Sequence, residues 1–122
     1  MNMSPISHRQ RLEVCVSGEK SDRPPVALWR HFPMDDQSPE RLAAATLNFQ
    51  QTYDFDFVKV TPASSYSVRD WGCQDAWRGN TEGTRDYAPG VVEHPEDWFP
   101  LTALTPARGS LGDMLRCLKI LK

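Results

Sequence analysis

The chain has 122 residues, 25% charged and 39% hydrophobic, with a formal net charge of -2, the composition of one small globular domain. Lys+Arg at 14 against Asp+Glu at 16 leaves no basic surplus for phosphates, which argues against a nucleic-acid partner. No apolar run approaches the roughly 20 residues that span a bilayer, and Met1 to Gln10 lacks the apolar core of an export signal, so the expectation is a cytoplasmic protein without a membrane partner.

Cys15, Cys73 and Cys117 are widely spaced with no C-x-x-C, and they read as reduced thiols rather than as a disulfide framework or a structural zinc site. In chain order, Ser7 stands three residues before Gln10, a capping-box spacing, and opens a short first helix that ends before Gly18. Pro24-Pro25 turns the chain to extended geometry. Val26-Ala27-Leu28-Trp29-Arg30-His31-Phe32 follows, an apolar run of strand length without clean alternation, as in a strand buried on both faces.

Ser38-Pro39-Glu40 is a compact helix start: Ser caps, Pro is tolerated in the first turn, and Glu complements the positive end of the helix dipole. Leu42, Thr46, Phe49 and Tyr53 then mark one face of a long helix that Asp54 ends. Phe55-Asp56-Phe57-Val58-Lys59-Val60 is read as a second strand, parallel to the first, so that residues 26–60 form one right-handed βαβ unit. From Thr61 to Thr105 the glycines and prolines break every apolar run. Trp77-Arg78 and Thr84-Arg85-Asp86-Tyr87 suggest two short strands around Gly79 to Gly83, and His94-Pro95-Glu96-Asp97-Trp98 suggests a helical turn. Ser110 with Asp113 is expected to cap a last helix whose Leu111, Met114, Leu115, Leu118 and Leu121 keep an apolar face.

Two parallel strands leave two open edges. The expectation is therefore an α/β chain forming the N-terminal portion of a (β/α)8 TIM barrel: residues 1–122 as part of one barrel domain, with one βαβ unit, an irregular insertion and a final helix leading toward a third strand. A barrel of this kind takes about 250 residues, so the chain would be roughly its first quarter to third. A doubly wound sheet is the alternative architecture, but no G-x-G-x-x-G follows either run, which argues against a dinucleotide site.

The order Asp22-Arg23-Pro24-Pro25-Val26, Trp29-Arg30-His31-Phe32, Asp56-Phe57-Val58-Lys59-Val60 and Asp70-Trp71-Gly72 resembles the N-terminal part of the uroporphyrinogen decarboxylase family, from about Ser7 to the last helix. The family includes the decarboxylase of porphyrin biosynthesis, a lyase, and corrinoid-linked methyltransferases, and the resemblance implies a tetrapyrrole or a corrinoid-linked methyl group as substrate. Of the two arginines with which the decarboxylases hold carboxylates, one matches Arg30 and the other falls at Met34, whose thioether offers no fork for a carboxylate. The pyrrole-binding aspartate falls at Ala63. The chain thus looks closer to the methyltransferase-like or uncharacterised branch of the family; in the methyltransferase-like branch the resemblance implies zinc in the complete barrel. No His-x-Cys zinc motif occurs here, and no cofactor is expected in this segment.

In a barrel the chemistry sits at the C-terminal strand ends, here Arg30 to Asp36 and Thr61 to Tyr66. Arg30 is the leading substrate-binding candidate, as an anion clamp or else a rim ion pair. His31 is a candidate acid, base or ligand beside Trp29 and Phe32. Lys59 is the odd cation of an apolar run, set for a substrate anion or a structural carboxylate, and Tyr66, with Ser64 and Ser65, offers hydroxyls. Asp35-Asp36 has the paired-carboxylate look but reads as a solvated helix lead-in. The alternative to an enzyme segment is a non-catalytic association module, pairing with another chain through its exposed sheet edge or with a protein partner that completes the barrel.

Overall fold

A computed structural model describes residues 6–122; the first half of the N-terminal stretch, residues 1–5, lies outside the described residues. The elements are α1 (His8–Val16), α2 (Pro39–Tyr53), β1 (Asp75–Trp77), β2 (Arg85–Tyr87) and α3 (Gly109–Leu121), with 3-10 turns at Arg69–Trp71 and Pro95–Trp98. No helix among the described residues is long and apolar enough to cross a membrane.

The helices begin where their local chemistry places them. Ser7 and Gln10 form the expected reciprocal capping box on α1, and Gly18 follows at φ 78°, a left-handed conformation that carries little cost without a Cβ. Ser38 caps α2 with Pro39 in its first turn, and Asp54 closes it at φ 52° and ψ 51°. α3 differs from expectation, because its N-terminus is capped by a distant carboxylate rather than by Ser110 and Asp113. The Ser110 N–H and Oγ–H donate to Asp70 at 2.8 and 3.1 Å.

The barrel expectation is overturned. The only sheet among the described residues has two strands, β1 and β2, paired antiparallel with Ala76 opposite Asp86, and neither 26–32 nor 55–60 is a strand. The residues themselves explain why. The Asp56 N–H donates to the Val26 carbonyl at 2.8 Å, and the Asp56 carboxylate takes the Val26 N–H at 2.7 Å. One residue thus closes a ring with both backbone groups of Val26, and no backbone hydrogen bond carries the pairing onward. The two runs lie side by side in the same direction, with Lys59 Nζ 3.5 Å from the Trp29 ring centroid, as extended chain without a ladder.

The core sits between α2 and α3. Leu42, Ala43 and Cys117 are buried there, with Phe32, Val60, Met114 and Leu121 packed against them. It is small, and many large apolar side chains stay exposed, among them Leu28 at 62% and Trp29 at 50%. All three cysteines are free, with Cys15 exposed, Cys73 half-buried and Cys117 buried.

Candidate functional site

The extended run after Pro25 lies beside the C-terminal half of α2 and the turn joining β1 to β2. Between them runs an open groove of about 620 Å³, lined by Leu28, Trp29, Arg30, His31, Phe49, Tyr53, Phe55, Thr81 and Glu82. Its aromatic residues pack on one another: Phe49 and Tyr53 at 4.8 Å between ring centroids, Phe49 and Phe55 at 5.6 Å, and Tyr53 stacked on Phe55 at 5.7 Å. Trp29 meets His31 edge to face at 5.8 Å. A second groove of about 390 Å³ runs along Phe32, Met34 and Trp77 and shares Arg30 and Thr81 with the first. Both volumes are within the range of small-molecule sites.

Arg30 stands at the junction of the two grooves. Its guanidinium is 5.6 Å from the Phe32 ring centroid and its Nε donates to the His31 carbonyl at 3.3 Å. No carboxylate pairs with it among the described residues. An unpaired guanidinium over a ring, beside an open groove, is free to receive an anion. The turn is held close to this run by Gly83, at φ 72°, where an added Cβ would lie 2.8 Å from the His31 Cβ. Asn80 ties the turn by accepting the Thr84 N–H at 3.0 Å and donating to the Thr84 carbonyl at 2.9 Å.

Of the residues singled out from sequence, Arg30 and His31 share the groove wall, while Lys59 is turned onto the Trp29 ring. Tyr66 is apart from them, against a cavity of about 30 Å³ with Asp36 and Arg69, room for little more than a water molecule. Met34 is exposed and lines the second groove, while Ala63 is buried. The Asp35-Asp36 pair divides: Asp35 meets Arg41 at 3.1 Å, whereas Asp36 is buried and takes the Arg85 guanidinium at 2.6 Å.

The strongest charge cluster was not among the sequence candidates. The buried Asp56 carboxylate accepts from Arg11, Arg23, the Val26 N–H and the His8 ring, and these donors, Arg23 first, hold its pKa far below the usual carboxylate range. A second cluster links Asp36, Arg85 and Asp75 through buried ion pairs, with the half-buried Arg69 on Asp75 at its edge. The groove's α2 wall was also missed, because Phe49 and Tyr53 fall on the helical stripe that sequence assigns to packing, yet Tyr53 is 60% exposed. Among the described residues no three His, Cys, Asp or Glu side chains form a metal-holding group. No protein-family model, curated protein or solved structure matches this chain.

Proposed function

We propose that this chain is a cytoplasmic member of the uroporphyrinogen decarboxylase family and that its role is to bind an anionic tetrapyrrole, porphyrinogen or corrinoid, in the groove beside Arg30. The observation that carries the reading is the pairing of an aromatic wall, Trp29, Phe49, Tyr53 and Phe55, with the unpaired Arg30 guanidinium and His31 in one groove. The pyrrole rings of such a macrocycle pack against aromatic faces, and peripheral carboxylates are matched by a guanidinium fork. Three residues of the family resemblance, Arg23, Val26 and Asp56, form one hydrogen-bonded unit. Decarboxylation by this chain alone is not part of the proposal: Met34 and Ala63 replace the second clamp and the pyrrole acceptor that the resemblance calls for.

Titration with uroporphyrin, a stable fluorescent octacarboxylate, tests this reading through tryptophan quenching. Saturable binding is expected, and Arg30→Ala should weaken it by roughly tenfold to a hundredfold, the loss of about 1.5 to 3 kcal/mol of charge-assisted hydrogen bonding. Absence of saturable binding, or equal affinity of Arg30→Ala, overturns it.

A second reading, association with another polypeptide, is favoured by the extended runs themselves. Residues 27–31 make no backbone hydrogen bond to the 57–61 run, while Leu28, Trp29, Phe57 and Val58 stay exposed. Such an edge pairs with an added strand. Sedimentation of the chain beside Leu28→Lys is the test, with self-association or partner binding lost in the variant.

A further inference from the structure

Helix α1 is held to the molecule by charge. It packs on no other helix or strand, and its sequence, HRQRLEVCV, carries no continuous apolar face; Val16 is 87% exposed. Among the described residues, its hydrogen bonds and ion pairs to distant side chains pass through two residues. Arg11 donates to Asp22 at 2.8 Å and to Asp56. His8 lies between two carboxylates, Nδ1 2.8 Å from Asp56 Oδ1 and Nε2 3.2 Å from Asp54 Oδ1. The other charges around this junction are Arg23, which also binds Asp56, and Arg9 with Glu13, which pair with each other on α1.

We propose that His8 is a pH-operated latch for α1, docking the helix when its ring is an imidazolium bridging Asp54 and Asp56 and loosening it when the ring is neutral. The chemistry is that of the donor count. An imidazolium donates from both nitrogens and satisfies both carboxylates, whereas the neutral ring carries one N–H and presents a lone pair to the other anion. Deprotonation therefore opens the bridge on one side and leaves Asp54 or Asp56 facing an acceptor. Hydrogen bonds from Asp56 and then Asp54 raise the His8 pKa above its ordinary value. The sign follows: the His8 contribution is complete below the unfolded value of about 6.5 and is lost as pH rises through the higher folded value. Arg11 keeps its charge throughout and acts as the hinge-side anchor.

The test is an NMR titration of the full chain from pH 5 to 9, following the His8 ring together with the amides of residues 9–16. The expected result is a shared midpoint above about 6.5, the ordinary histidine value. Asp54→Asn should lower that midpoint, since it removes one anion while asparagine tolerates the left-handed cap at this position. His8→Gln should remove the pH response of the α1 amides. Asp54→Asn makes the test independent of the folding of His8→Gln. Helix amides that do not move with the ring, an unchanged midpoint in Asp54→Asn, or an unaltered titration in a folded His8→Gln chain overturns the proposal.

Discussion

Asp56 does at the residue level what a strand would have done at the level of the sheet. Its carboxylate gathers Arg11, Arg23, His8 and the Val26 N–H, joining α1, the segment after α1 and the segment after α2. The Asp22 carboxyl is likewise held well below its usual range, chiefly by Arg11. A carboxylate with a depressed folded pKa stabilises the fold fully above its unfolded value of about 3.9 and loses that contribution as pH falls below it. The fold should thus loosen around α1 on acidification below about pH 4, and Asp56→Asn should already be loosened at neutral pH and show a flatter acid limb; α1 amide exchange against pH measures both. A parent chain with unchanged α1 protection at pH 3 contradicts this. Arg30 and His31 stand out in the sequence as a cation and an imidazole in an otherwise apolar run, and both line the groove. Asp56 was visible only as a motif residue, since nothing local reveals that its partners come from positions 8, 11, 23 and 26. In the second cluster Arg85 sits between the Asp36 and Asp75 carboxylates, at 2.6 and 3.2 Å, with all three side chains buried. Arg85→Met strips the buried Asp36 carboxylate of its cation and leaves Asp75 with Arg69 alone, and should destabilise the hairpin region by roughly 3 to 5 kcal/mol, read as faster exchange of the β1 and β2 amides; wild-type protection in that variant would assign the cluster no structural weight.

Elements whose signals are local were legible, and those whose signals are distant were not. α1 and α2 begin at Ser7 and Ser38 as their capping spacings indicate, because a cap is settled within four residues. A strand depends on a partner elsewhere in the chain, and the 26–32 and 55–60 runs have the β-rich composition without the ladder. The two strands that do form are each three residues long and owe their pairing to the Asn80 turn between them. α3 shows the same division: its apolar face was readable, but its cap is Asp70, forty positions upstream of Ser110. Gly109, at φ 56°, leaves the space for that carboxylate, since an added Cβ would run into it. Asp70→Ala should cost α3 about 1 kcal/mol, equivalent to a roughly fivefold faster exchange of its first amides, with Asp70→Asn much less affected because asparagine also caps. Equal exchange in Asp70→Ala and the parent would show that the cap contributes nothing.

For the whole molecule, the decisive relation is between the small buried core and the large apolar exposure. Among the described residues, the buried hydrophobic ones are Leu42, Ala43, Ala63 and Cys117, whereas Trp29, Tyr53, Trp98, Phe99 and Val16 are all at least half exposed. Cooperative unfolding requires that most segments share contacts with one core. Here α2 packs on α3, the hairpin is held through the Asp36–Arg85 pair, and α1 through Asp56, so three parts are joined by polar contacts rather than by a common apolar interior. Each can open without the others, at a local free energy well below that of a single core. The isolated chain should therefore give a broad calorimetric transition, with a van't Hoff enthalpy different from the calorimetric one, and should bind a hydrophobic dye before that transition. A ligand that fills the aromatic groove, or a partner strand on the 26–32 run, binds the ordered form alone and should narrow the transition and raise its midpoint with concentration. Leu42→Ala provides the internal control. It removes a large aliphatic side chain that is fully buried, and should cost about 2 to 5 kcal/mol in the α2–α3 unit while leaving the hairpin and α1 exchange rates near those of the parent. A sharp two-state transition from the monomer, with Leu42→Ala accelerating exchange everywhere by the same factor, would instead mean that the polar links couple the whole chain as strongly as a core does.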